Sequence, residues 1–348
     1  MQRYVVVPNI VEVNSNVDHI PHFALGPTLF KVSQVKPCQI KVYFLVYPRV
    51  PSPLKLQTSM YPFRVCENVV YYEHPLFGVF KLQIMLSDLQ NAPKIFVNNE
   101  VYRLIQRPIG NLPPAGVLCT DIIWAKLAMK NMSIVYSSCI SLSGDGILLL
   151  GHSGAGKSLV AYLSQKKANS EFLSEDVTIV DEKRAYACPY TQSFLNEDLF
   201  IKTLFMDKKI SKKEYLRIRF LKSVRRLLKP SLFLPFKFLM PPPRIKITDK
   251  VQEKVDVKRI CLLERGDTIV KELDKDEMIA KILLLNRLEF YYERDPFLTV
   301  YSLYNPDFEY ERLLIRTKEI LTKLVEQADC FLIKTNNPYR YLDLIQKR

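Results

Sequence analysis

A chain of 348 residues with 48% hydrophobic content is too long for one typical core and long enough for two, so two domains are expected. No run of about 18 uncharged apolar residues occurs, and MQRYVVVPNIVEV lacks the basic, apolar, small-residue order of a signal peptide, which excludes a membrane-spanning reading and points to a soluble, cytoplasmic protein. The seven cysteines (Cys38, Cys66, Cys119, Cys139, Cys188, Cys261, Cys330) form no C-x-x-C pair, against a disulfide frame or a zinc site, and of the net charge of +14 the segment 201–250 alone carries +12, from fifteen Lys or Arg against Asp207, Glu214 and Asp249.

Residues 1–117 read as a β-rich N-terminal domain. TLFKVSQV, IKVYFLVYP, CENVVYYEH, VFKLQIML and PKIFVNNEVYRL are short, rich in Val, Ile, Tyr and Phe, and separated by Pro, Asn or Gly, as in an antiparallel sheet. His19 and His22 have a spacing that could serve a metal, but no further His or Cys follows nearby, so they read as loop residues. PIGNLPP, at 108–114, reads as a linker. Thr120 is then the candidate N-cap of an amphipathic helix, DIIWAKLAMKNM, which opens a second domain over 118–348. From residue 133 strands and helices interleave: SIVYSSCISLS, GILLL, a helix after Lys157, VTIV, AYAC, RICLLERG, helices through DEMIAKILLLNRL and ERLLIRTKEILTKLVEQ, a strand CFLIKT and a short final helix. That alternation predicts an α/β domain around a largely buried sheet.

Gly151-His152-Ser153-Gly154-Ala155-Gly156-Lys157-Ser158 fits G-x-x-x-x-G-K-[ST], between the apolar run GILLL and the helical LVAYLSQ. A triphosphate needs many donors at close range, and small residues (Gly151, Ser153, Gly154, Ala155, Gly156) let backbone N–H groups face it where a bulky side chain would block approach. A helix starting near Gly156 adds the positive end of its dipole. Lys157 supplies a mobile charge to the β and γ phosphates, and the Ser158 hydroxyl suits Mg²⁺. Asp176 follows Ser158 by eighteen residues and is preceded by Glu175, a short distance for the second acidic motif of phosphate-loop proteins. The other reading of this acidic pair is a solvated strand end.

Through "VYSSCISLSGDGILLLGHSGAGKS", "FLSEDVTIV" and "DEKRAYACPY" the chain resembles the HPr kinase/phosphorylase family, and in particular the smaller kinases built on its C-terminal domain. The resemblance is dense over 134–190 and weaker from "RICLLERGD" onward. It implies an α/β P-loop kinase domain, related in architecture to phosphoenolpyruvate carboxykinase, preceded here by a β-rich domain unlike that family's usual one. It also implies an ATP- and Mg²⁺-dependent transfer of the γ-phosphoryl group to a serine or similar hydroxyl on a peptide or protein. Relatives of this kind include peptide-tailoring kinases. The resemblance puts Lys157 and Ser158 on the family's phosphate and metal residues, and the family's paired aspartates on Glu175 and Asp176. Asp176 falls on the acid that takes the acceptor's proton, with Glu175 beside it to orient it or the metal. The family's histidine, 22 residues before the loop serine, is Tyr136 here, which counts against a reverse, phosphorylase activity. Arg265 is a candidate for the family's arginine, although its place in LLERGD first suggests a turn between strands. The resemblance also makes a homo-oligomer reasonable.

Within the insertion at 195–250, KKISKKEYLRIRFLKSVRRLLKP predicts a basic amphipathic helix, with Tyr215, Ile218, Leu221, and Val224 or Arg225 at helical spacing. SLFLPFKFLMPPP follows, apolar and proline-broken. Packing on its own domain is the plain expectation, and the sharper one docks an acidic peptide or protein substrate on 201–250; contact with an anionic membrane surface is also open, and nucleic acid is not expected. Two further functions remain open: a small-molecule or carboxykinase-like enzyme, and a nucleotide-binding scaffold without turnover.

Overall fold

The computed structural model describes residues 1–20, 23–25, 37–52, 58–60, 62–76, 78, 80–105, 112–188, 198–227 and 251–347. Its secondary structure is mixed α/β, built on two mixed sheets.

Among the described residues the first sheet has eight strands: β1 (Gln2–Val7), β2 (Val11–Ser15), β3 (Ile40–Tyr47), β4 (Thr58–Met60), β5 (Phe63–Cys66), β6 (Val69–Leu76), β7 (Phe80–Ser87) and β8 (Lys94–Asn98), in the spatial order β1-β2-β3-β8-β7-β6-β5-β4. The expected antiparallel sheet is corrected to a mixed one. β4 to β8 meander, whereas β3 runs parallel to both β2 and β8 because the chain enters it by one long connection and leaves β4–β7 between it and β8. Alternation sets which face is buried: Ile40, Val42 and Phe44 of β3 are at most 1% exposed while Lys41 between them is exposed.

PKIFVNNEVYRL is not one strand. The Asn98 side chain accepts the Val101 N–H at 3.1 Å and turns the chain into helix α1 (Asn99–Leu104). TLFKVSQV lies wholly outside the described residues, as does PIGNLPP up to Asn111. The next helix, α2 (Ala115–Ala128), begins directly after Pro114, five residues before Thr120. Thr120 is therefore not the N-cap. Its hydroxyl bonds back to the Gly116 carbonyl at 3.0 Å and accepts the Ala24 N–H at 3.3 Å. Nor is α2 amphipathic: all but one of its residues are buried, because it is enclosed by β3, β9 and the helix of residues 310–326.

The second sheet comprises β9 (Ser133–Val135), β10 (Ser138–Leu142), β11 (Asp145–Leu150), β12 (Glu171–Ser174), β13 (Thr178–Val180), β14 (Arg184–Tyr186), β15 (Lys254–Glu264), β16 (Ile269–Glu272) and β17 (Asp329–Lys334). Its order is β12-β10-β11-β15-β14-β13-β9, with β17 on the far part of β15 and β16 on β17. β11, β15 and β17 are parallel neighbours. The helices are α3 (Lys157–Ala168), α4 (Asp198–Met206), α5 (Lys212–Leu227), α6 (Lys275–Glu289), α7 (Pro296–Tyr304), α8 (Tyr310–Glu326) and α9 (Tyr341–Gln346).

Period-2 alternation in β11 divides this domain into layers. Leu148 and Leu150 join the large core that also holds Trp124 of α2, Met278 of α6 and Leu321 of α8, together with the first sheet's Val42 and Ile84. Ile147 and Leu149 face the other way, toward Val160 and Ala161 of α3 and Ile345 of α9. Outside α3 lies a further apolar layer, in which Leu159 and Tyr162 meet Phe200 and Leu204 of α4 and Ile218 of α5. Tyr215 is half-buried and Leu221 fully buried, so α5 packs with the predicted face inward; the segment 228–250, with SLFLPFKFLMPPP, lies outside the described residues. All seven cysteines are unbridged and six are buried. Among the described residues no helix is long and apolar enough to cross a membrane.

Candidate active site

The parallel strands β11, β15 and β17 end at one edge of the second sheet. β12 ends there too, since it is antiparallel to β10 and β10 is antiparallel to β11. The carboxyl edge of such a sheet is where open α/β folds bind ligands.

The glycine-rich loop leaves β11 at this edge. Gly151, Gly154 and Gly156 have φ of +144°, +82° and +112°. At Gly151 the requirement is steric as well: a Cβ would stand 2.8 Å from the Leu263 carbonyl oxygen and 2.9 Å from the Ala155 Cβ. Gly156 caps α3 in the left-handed conformation, so the first two helical residues are Lys157 and Ser158, 3% and 1% exposed. Both stand at the positive end of the helix dipole. The Lys157 ammonium is folded into the loop: it donates to the Gly151 carbonyl at 2.7 Å and the His152 carbonyl at 3.3 Å, and lies 4.2 Å from the centre of the Tyr136 ring. Ser153 is exposed and Ala155 buried.

Glu175 and Asp176 form the turn between β12 and β13. Val177 N–H donates to the Glu175 carbonyl at 2.7 Å across Asp176, whose φ is +58°. This tight, left-handed turn is sparsely populated for side chains other than Gly, Asn and Asp. Glu175 is fully buried and Asp176 partly exposed. Hydroxyls fix the turn from below: Ser137 donates to Thr178 at 2.8 Å, Thr178 donates to the Ser137 carbonyl at 3.0 Å, and the Ser174 and Thr178 hydroxyls are 2.5 Å apart. The β12 end and the β11 end are separated only by β10, two strand spacings or about 10 Å. The structure thus brings the loop, Lys157, Ser158 and the Glu175–Asp176 turn to one sheet edge.

Three side chains join them that the motifs did not single out or had given another role. Glu289, in the last turn of α6, accepts a hydrogen bond from Tyr136 and is near enough to Lys157, Asp176 and His152 to feel their charges. Its carboxyl is held above the ordinary range, by burial first and by the Asp176 carboxylate next, against the lowering pull of Lys157. One turn earlier, the fully buried Asn286 accepts the Tyr136 N–H at 2.8 Å and donates to the Ile134 carbonyl at 2.9 Å and to the Tyr292 hydroxyl at 3.3 Å. Tyr136 is thereby pinned at both backbone and hydroxyl. In the sequence, the one available signal was Asn286 itself, a polar residue on the core-facing stripe of DEMIAKILLLNRL. Arg265, in the connection from β15 to β16, donates to the Gly154 carbonyl at 3.3 Å and to the Asn336 carbonyl at 3.5 Å. It therefore sits in the expected turn and also reaches the loop.

Among the described residues no three His, Cys, Asp or Glu side chains are grouped so as to hold a metal ion. Ser158 and the Glu175–Asp176 turn are the donors at hand, a set suited to Mg²⁺, which takes one or two protein oxygens and completes its shell with phosphates and water. No family model and no curated protein sequence matches the chain.

Proposed function

We propose that the chain is an ATP-dependent, P-loop kinase of the HPr-kinase-like type, with Mg²⁺ as its cofactor, acting on a serine or similar hydroxyl of a peptide or protein. What supports the reading is one coincidence: a loop whose glycines open it to an anion runs into a helix that begins Lys157-Ser158, and a carboxylate-bearing turn stands about two strand spacings away on the same edge.

The loop N–H groups and the α3 dipole bind the phosphates. Lys157 leaves the Gly151 and His152 carbonyls to neutralise the β and γ phosphates, and the Tyr136 ring, fixed by Asn286 and Glu289, keeps the ammonium at the phosphate side. Mg²⁺ held by the Ser158 hydroxyl, with the Glu175–Asp176 turn facing it, would supply charge neutralisation for the phosphate oxygens. Asp176 accepts the proton of the attacking hydroxyl; the new O–P bond forms as the bond to the leaving ADP oxygen breaks. Arg265 stabilises the far side of the loop through Gly154.

The test is transfer of label from γ-labelled ATP to a library of serine- and threonine-containing peptides and proteins, followed by mapping of the labelled residue. Label on a serine hydroxyl, absent with Lys157→Ala, is the expected result. Label only on sugars, polyols or free amino acids would give the site to small-molecule chemistry, and ATP binding without any transfer would make it a scaffold.

A further inference from the structure

Helix α5 exposes a second face, on the side opposite its core face. Ile218 points into the apolar layer over α3 at 1% exposure, and Leu221, on the same side of the helix, is fully buried. On the other side Lys212, Lys213, Leu216, Arg219 and Phe220 are all exposed. At 3.6 residues per turn these five positions fall within about 120° of the helix circumference. Leu216 and Phe220 are one turn apart, 53% and 50% exposed, and Met206 at the end of α4 is 69% exposed. Two acids near this face, Asp207 and Glu214, are engaged by other groups. Asp207 accepts from the Tyr162 hydroxyl at 2.7 Å and from Lys166 at 2.6 Å; Glu214 accepts the Ser211 N–H and hydroxyl, each at 2.8 Å. The outer face of α5 is left cationic, with two large apolar side chains set between the cations.

An acidic peptide would be met by the cations alone, and an acceptor bound for the phosphate loop would be held on the side of α5 that turns away from α3. Large apolar side chains standing free between lysines and arginines match a different partner, one with an anionic surface over an apolar interior. We propose that the outer face of α5 binds an anionic lipid surface peripherally, with Leu216 and Phe220 entering the headgroup region and Lys212, Lys213 and Arg219 pairing with lipid charges. The proposal is independent of the chemistry at the phosphate loop.

The experiment is co-sedimentation of the full chain with vesicles of phosphatidylcholine and with vesicles half phosphatidylserine. Binding to the second, weak on the first and falling with added salt, is expected. Each cation near an anionic surface contributes about fivefold to partitioning, about 1 kcal/mol, so Lys212→Glu/Lys213→Glu/Arg219→Glu lowers binding by at least about a hundredfold. Leu216→Ser/Phe220→Ser lowers it by about tenfold or more with all charges kept. Both variants alter exposed positions, so their melting temperatures and ATP affinity stay at the parent's values. Partitioning that survives Leu216→Ser/Phe220→Ser overturns apolar insertion. Retention on polyglutamate beads without vesicle binding assigns the face to an acidic protein instead. No binding to either leaves the face to the chain's own residues 228–250; each of these results refutes the proposal.

Discussion

Asn286→Ala tests how the candidate site is held. The side chain is fully buried, and it satisfies the Tyr136 N–H and the Ile134 carbonyl, neither of which has water nearby, since those residues are 6% and 0% exposed. Leaving a buried backbone donor and a buried acceptor without partners costs about 2 kcal/mol each, and the missing amide adds about 1 kcal/mol of lost packing. The total, about 5 kcal/mol, is a large part of the roughly 5–15 kcal/mol that stabilises a folded chain. Melting followed by circular dichroism is expected to show a fall of about 5–10 °C, since about 2 °C or a little less accompanies each kcal/mol in a chain of this size. Below the transition, the loosened β9–β10 crossing no longer holds Tyr136 against Lys157. Phosphoryl transfer is expected to fall about a hundredfold, the scale of a misplacement near 1 Å. Asn286→Asp separates the two bonds: the buried carboxyl, when protonated, accepts the Tyr136 N–H and donates to the Ile134 carbonyl, so the loss is small at low pH and grows as rising pH ionises it. A melting temperature for Asn286→Ala within about 1 °C of the parent would refute this account, because the polar groups around Asn286 would then have other partners.

Gly151→Ala forces a Cβ against the Leu263 carbonyl at a φ of +144°, so nucleotide binding is lost and the melting temperature falls; calorimetric titration with ATP checks it, and unchanged affinity contradicts the described loop. Glu289→Gln removes a carboxylate that competes with phosphate for Lys157, and ATP affinity is expected to rise a few-fold, most at low salt. Equal affinity over a salt series would remove Glu289 from the site. Asp121 and Asp295 form a fully buried acid pair, both held above the ordinary range by burial first, Asp295 up to about 6. The unfolded chain releases these protons near pH 4 while the folded chain keeps them longer, so the pair's contribution to stability falls as pH rises from about 4 to 6, by about 3 kcal/mol for Asp295. Asp121→Asn, whose amide can donate to Asp295 at any pH, is expected to gain stability on the parent across that window in denaturant titrations; a difference independent of pH would show that the two carboxyls share no proton.

The legible parts of the sequence were those where local chemistry fixes the structure. G-x-x-x-x-G-K-S demands left-handed glycines and a helix start, and Gly154, Gly156 and α3 supply them. SEDV, read as the acidic end of a strand, does end β12, but as a turn in which Glu175 is fully buried where a solvated strand end would leave it exposed. Elements decided by distant packing were not legible. Charged Asp121 inside DIIWAKLA gave no sign that α2 is enclosed on all sides, because the residues enclosing it come from β3, β9 and α8. The parallel placement of β3 between β2 and β8 depends on pairing across about 50 residues, which strand composition does not encode. Glu289 reaches the loop from more than a hundred residues away with no local spacing to announce it, and Arg265, equally distant, was singled out through the resemblance alone.

The most direct measurement is single-turnover transfer from γ-labelled ATP by Asp176→Asn beside the parent, with ATP affinity determined on the same samples. Removing a positioned general base lowers transfer by about 10²–10⁴-fold and leaves the phosphate cradle intact, so the account predicts unchanged affinity with transfer reduced on that scale. Transfer by Asp176→Asn at the parent's rate would contradict it.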